Sequence, residues 1–272
     1  MGIQTRHESL AARMTMWLDR DYDRWLPVLA ILTLILGLAT VYGAFIYAPT
    51  DSIQGDVQRI FYIHAPIATF MEVAGGVVAL AGLLYLMTRR PIWDVIARCS
   101  AEICLLLTTI VLVTGSIWGK VSWGVWWAWD ARLTFTLVLW FIFAGYLMLR
   151  SYIGEPAQAA RYAAVFGIIG ALDIPLIHVA VEWWRTLHPQ GVIDNPSGPA
   201  LPGSMLAVFG LGMLTMLLLY LLLLGLRVRL ELLHERVLAI EEHRLDEIDE
   251  RAVPALSPSS EQRSLEGAGR LA

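Results

Sequence analysis

Charge and cysteine are scarce in this 272-residue chain, and several familiar signatures are missing from it. Only 16% of its residues are charged, while 57% are hydrophobic and the mean hydropathy is +0.60. That balance excludes an ordinary soluble domain. The two cysteines, Cys99 and Cys104, stand five positions apart in one apolar run. On a helix they point well away from each other and offer no disulfide framework. The absence of Cys-x-x-Cys-His excludes covalently attached c-type haem. No Gly-x-x-x-x-Gly-Lys-Ser/Thr string occurs, so any use of ATP falls to a partner. There is no internal repeat.

Long apolar runs are plentiful. A helix needs about 20 mostly apolar residues to cross a hydrocarbon core roughly 30 Å thick. Six runs qualify: Leu26 to Tyr47, Tyr62 to Met87, Val95 to Trp118, Leu133 to Leu149, Tyr162 to Val181 and Met205 to Leu226. The first is longer than a signal-peptide core and follows a polar stretch, so it reads as a retained span. The predicted fold is an all-α integral membrane protein with six transmembrane helices. Residues 1–25 form an N-terminal segment and 26–226 the membrane domain. Residues 227–251 place Leu230, Leu233, Val237 and Ile240 at heptad-like spacing and predict an amphipathic helix. The polar residues 252–272 predict a disordered tail.

Positive charge sets the predicted orientation. Arg6, Arg13, Arg20 and Arg24, then Arg89 and Arg90, Arg150 and Arg161, and Arg227 and Arg229 mark one side. The other side has Arg59, Lys120, Arg132 and Arg185. Both termini are therefore expected in the cytoplasm, with an external tryptophan-rich loop, about 118–132, between helices 3 and 4.

That loop, WGKVSWGVWWAWDARL, holds five of the eleven tryptophans. Trp123, Trp126, Trp127 and Asp130 stand at i, i+3, i+4 and i+7, so one helical face is expected to carry them, with Trp129 off it and Trp118 before it. Such a platform suits either a helix lying in the membrane interface or a cover over a large flat ligand. Periodicity leaves both open.

Topology sorts the six histidines. His7, His234 and His243 fall in cytoplasmic segments. His64, in RIFYIHAP, and His188, in VEWWRTLHPQG, fall at the outer surface on either side of the tryptophans. Pro66 suits the opening turn of the second span. Neutral imidazoles are good iron ligands, and two of them suffice for axial ligation if they converge. The external Arg59, Arg132 and Arg185 are candidates to pair with carboxylates at a ligand's edge. His178 is the alternative ligand; a hydrogen bond to Glu182, four residues on, would satisfy it, with Trp183 and Trp184 beside it. Glu72, Glu102 and Asp173 lie within spans, where charge usually faces a bundle interior.

The string WGVWWAWDARLT closely resembles the tryptophan-rich signature, or WWD domain, of the haem handling proteins of cytochrome c maturation. With FYIHAP before it and VEWWRTLH after it in a six-span chain, the resemblance is to the short haem-exporting branch of that family. It covers about Trp25 to Leu226. What it implies is a binding and transfer protein, not an enzyme, in the bacterial inner membrane with its site facing the periplasm. It further implies that His64 and His188 are the axial ligands of a transient, non-covalent haem b. In the same family pattern Trp118 to Asp130 contact haem and its carrier, and Arg59 and Arg132 stand where arginine also occurs. The implied partners are the periplasmic haem chaperone CcmE and an ATP-binding cassette complex of CcmA, CcmB and CcmD. The family is expected to end soon after its sixth span, whereas this chain continues.

Two rival readings make different demands. A haem lyase or cytochrome c synthetase with the same signature is expected to be much longer. A secondary transporter using Glu72, Glu102 and Asp173 is expected to show repeats and interrupted helix pairs.

Overall fold

The computed structural model describes residues 24–184, 187–188 and 201–252. The N-terminal segment up to 23, Arg185 and the tail beyond 252 lie outside the described residues. Helix α1 spans Arg24–Tyr47, its last turn, Gly43–Tyr47, widened to a π-turn. A 3-10 turn at Asp56–Ile60 leads into α2, Phe61–Thr88. Then come α3, Pro91–Trp123, α4, Ala131–Tyr152, α5, Pro156–Ala171, α6, Asp173–Trp183, and α7, Gly203–Ala252. With α5 and α6 taken together, six helical segments among the described residues are long and apolar enough to cross a membrane. This is a multi-pass membrane protein.

Local chemistry explains the boundaries. Pro91 and Pro156 open α3 and α5, at positions where the missing N–H costs nothing. Pro175 has no N–H to return to Ala171, and the fifth span breaks at Leu172 into α5 and α6. Helix α7 has no glycine or proline between Leu226 and Ala252. The chain divides into two compact units, Met1–Val228 and Arg229–Ala272. Within the second, Leu230, Val237, Ile240 and Ile248 are exposed.

The core of the first unit surrounds α2. Met71, Ala74 and Val78 are buried with Ala101, Cys104 and Leu107 of α3, Leu139, Phe143 and Tyr146 of α4, Ala163 of α5 and Ile177 of α6. Both cysteines are buried thiols, and the Cys104 thiol donates to the Met71 carbonyl at 3.3 Å. Pro66 sits inside α2 rather than in its opening turn, because the helix starts at Phe61. Its ring leaves the Tyr62 carbonyl without a helical donor. Gly212 of α7 packs on this defect so closely that a Cβ there would lie 2.9 Å from the Tyr62 oxygen and 3.1 Å from Pro66 Cγ.

One end of the bundle is fastened by ion pairs. Arg150 of α4 grips Asp94 of α3 through two hydrogen bonds of 2.6 and 2.7 Å, and Arg227 of α7 donates to Glu102 of α3 at 2.7 Å. The other end gathers the start of α2, the end of α3, the start of α4 and the segment after α6. There the histidines, tryptophans and arginines meet.

Candidate functional site

His64 lies in the first turn of α2, half-buried, with its Nδ1 2.8 Å from Oγ1 of Thr114 on α3. The threonine hydroxyl has a single hydrogen, and it is donated to the Ile110 carbonyl one turn back, at 2.7 Å. Thr114 therefore accepts from His64, whose proton sits on Nδ1. The lone pair of the ring is on Nε2, the form in which imidazole binds a metal. Nothing in the sequence singles out Thr114, apart from its standing one helical turn before Trp118.

Trp118 packs edge-on against His64, ring centroids 5.6 Å apart, and donates its indole N–H to Gln54 Oε1 at 3.0 Å. Gln54 is held in turn by a tight turn in which Asp51 accepts from the Ile53 and Gln54 amides. One turn and a half further along α3, Trp123 packs against His188 at 5.2 Å. The last turns of α3 thus supply one indole to each histidine. Space is reserved beside them, since a Cβ on Gly115 would lie 3.3 Å from His64 Cε1.

The helical platform expected from the tryptophan spacing does not form. Helix α3 ends at Trp123, and Gly124 takes up the left-handed conformation, φ 79°, that closes a helix. Lys120 secures this end by donating to the Gly124 carbonyl at 2.9 Å. Residues 124–130 form an irregular link instead. In it Trp127 is half-buried and edge-on to Trp129, 5.7 Å away, while Trp126 and Trp129 are exposed. Trp183 and Trp184, at the end of α6, are exposed as well, and Trp184 leans on Phe135 of α4.

Asp130, also in the tryptophan string, faces inward. It is 8% exposed and caps α4 by accepting the Arg132 amide at 3.0 Å. Its Oδ2 accepts the Leu187 amide at 2.7 Å, and its Oδ1 lies 3.7 Å from His188 Nδ1. Burial, assisted by the Arg132 charge and opposed by Asp130, pulls the His188 imidazole from its usual 6.5 down to about 4. It is neutral at pH 7. Arg132 is close enough to both His64 and His188 for its positive charge to act on each, so the three side chains share one neighbourhood. Glu72 and Asp130 are the carboxylates near enough for their charge to act on the half-buried Arg132 guanidinium.

Other singled-out residues turn elsewhere. Arg59 directs its guanidinium to the end of α1, donating to the carbonyls of Ala44 at 2.7 Å and Ala48 at 3.3 Å and pairing with Asp56. His178 does not bond Glu182: its Nε2 lies 2.8 Å from Glu72 Oε2. The reason is burial, because Glu72 is enclosed in the bundle and Glu182 is exposed to solvent. Glu102 is taken by Arg227, and Asp173 is buried at the break between α5 and α6. The three carboxylates of the transporter reading thus stand in separate settings.

Comparison with known proteins gives the same direction. The family described as CcmC, heme exporter protein C, matches residues 10–243. The likeness therefore runs past Leu226 and takes in part of the C-terminal extension. A protein of Bradyrhizobium diazoefficiens named heme exporter protein C is 37% identical over 218 residues, 80% of this chain and 82% of its own length. Its namesake in Haemophilus influenzae is 39% identical over 210 residues, 77% and 85% of the two chains. A ccmC-like mitochondrial protein of Marchantia polymorpha, named for cytochrome c biosynthesis, is 36% identical over 172 residues, 63% and 73% of the two chains. The chain belongs to the heme exporter protein C family, CcmC, and with it to the haem-transporting membrane proteins of cytochrome c biogenesis.

Proposed function

We propose that this protein binds haem at the periplasmic face of the bacterial inner membrane and delivers it to the periplasmic chaperone CcmE. The observation that carries the reading is the placement of two imidazoles, each packed on an indole from the last turns of α3, at one end of the bundle. His64 comes from α2 and His188 from the segment after α6; both feel Arg132, and each packs on one indole from the end of α3. Such a pair suits an iron whose equatorial plane is already filled by a porphyrin. The Nδ1 sides of the rings face Thr114 and Asp130, the outer-sphere support that orients metal-binding histidines.

The remaining parts fit the cargo, a non-covalently held haem b. The Arg132 guanidinium is suited to a propionate, and Arg185 is a second candidate. Arg59 acts on the fold by holding α1 to α2. The exposed Trp126, Trp129, Trp183 and Trp184 offer flat surface to the porphyrin and to the chaperone. The work is ligand exchange at iron and not bond-making in a substrate, so the protein is not an enzyme. Energy from ATP enters through the CcmA, CcmB and CcmD partners that release the loaded chaperone.

Delivery and sidedness are tested together. Haem-loaded protein mixed with the soluble domain of the chaperone should lose haem to it. A reporter inserted after Gly124 in cells should read as periplasmic. Haem retained despite the chaperone, or a cytoplasmic reporter signal, would refute the reading.

A further inference from the structure

The two histidines are held by unlike means. His64 is part of α2, so a helix sets its position. His188 follows the end of α6, where the last helical amide, that of Trp184, returns to the Ala180 carbonyl. Beyond it the described residues Leu187 and His188 lie outside any helix, and the Asp130 carboxylate reaches both of them. That group is nearly buried, which is costly for a carboxylate unless donors surround it. Its donors are the Arg132 amide, which belongs to α4, and the Leu187 amide, which belongs to the histidine segment. Asp130 thus joins the fixed start of α4 to the segment that carries His188, with one oxygen turned to the imidazole Nδ1 at 3.7 Å. Trp123 covers the same ring.

We propose that Asp130 is the positioning residue for His188: it clamps the Leu187–His188 segment to α4 and, through its charge beside Nδ1, makes His188 a stronger donor to iron than His64. This rests on the reading that both histidines ligate haem. A carboxylate beside Nδ1 stabilises the positive charge that grows on the ring as Nε2 gives its lone pair to the metal. The effect is larger for ferric than for ferrous iron. The Nδ1 of His64 faces the neutral Thr114 hydroxyl instead. Asp130 therefore acts on the iron through His188, and the wide tryptophan surface is left to the porphyrin and its carrier.

Two substitutions separate the clamp from the charge. Asp130→Asn keeps a side-chain oxygen of the same reach but removes the charge. The haem-loaded full-length protein should keep its bis-histidine spectrum while losing about tenfold in preference for ferric iron, a rise of about 59 mV in midpoint potential for one electron. Asp130→Ser keeps a residue that caps α4 well but is too short to hold Leu187. The protein should accumulate normally and bind haem at least tenfold more weakly. An unchanged midpoint in Asp130→Asn, or full haem affinity in Asp130→Ser, would overturn the proposal. His188→Ala is the separate control: a bis-histidine spectrum that survives it brings down the ligand reading itself and not the role of Asp130.

Discussion

Replacing Thr114 by valine removes one hydroxyl and little else. The side chains have nearly the same shape, and valine keeps the branched Cβ, so α3 should persist. What disappears is the acceptor 2.8 Å from His64 Nδ1. Moving the proton to the other ring nitrogen does not help, because the Nδ1 lone pair would then face a methyl group and Nε2 would lose the electrons it needs for iron. An unmet polar group in such a half-buried place costs about 1–3 kcal/mol. Loss of an outer partner of a metal-binding histidine typically weakens metal binding by about 10–100-fold. The lower end is expected here, since the hydroxyl lost is neutral and not a carboxylate: about tenfold, or about 1.4 kcal/mol. Haem titrated into detergent-purified apo-protein and followed at the Soret band measures this directly. Thr114→Ser, which keeps the hydroxyl, should bind like the unsubstituted protein. If valine at 114 binds haem as tightly as threonine and serine do, the anchoring of His64 by this hydroxyl is wrong.

Other consequences follow from the same geometry. Arg150→Ala leaves the half-buried Asp94 carboxylate without its cation and should cost about 3–5 kcal/mol, read as a lower melting temperature in detergent. Haem added to the folded fraction should bind normally, because the pair lies at the far end of the bundle. Gly212→Leu drives a side chain into the Tyr62 carbonyl and Pro66, and should cost about 1–3 kcal/mol; melting equal to that of the unsubstituted protein would refute the close approach of α7. For pH, the His188 imidazole is held near 4, below its unfolded value near 6.5. Between those values the unfolded chain binds more protons, so this residue's effect is to lower stability as pH falls from 6.5 to 4, and it levels off below. Haem occupancy should likewise hold from pH 8 to 5 and drop near 4. A drop centred at 6.5 would contradict the burial of this ring.

Much of the architecture is legible in the sequence because hydrocarbon thickness acts on composition directly. Charged and proline-bearing stretches bound the apolar runs, and the expected span Leu133 to Leu149 sits inside the observed Ala131–Tyr152. Misreadings arise where local pattern competes with a distant partner. The spacing of Trp123, Trp126, Trp127 and Asp130 is helical, yet one glycine in the left-handed conformation ends the helix between them. His178 has a suitable acid one turn away in Glu182, but the half-buried Glu72 on another helix takes the contact. Asp130 reads as the edge of an aromatic surface and turns out to cap a helix and hold the segment of His188. Thr114 is hidden for a different reason. Threonines in membrane helices commonly bond their own backbone, and only the fold shows that the remaining lone pair faces a histidine.

The central claim is that His64 and His188 hold one haem iron between them. Absorption spectra of the full-length protein purified from a haem-replete host, beside His64→Ala and His188→Ala, test it most directly. The account predicts a low-spin bis-histidine spectrum for the unsubstituted protein and its loss in each variant, with lower haem content. A bis-histidine spectrum unchanged in either variant would contradict it.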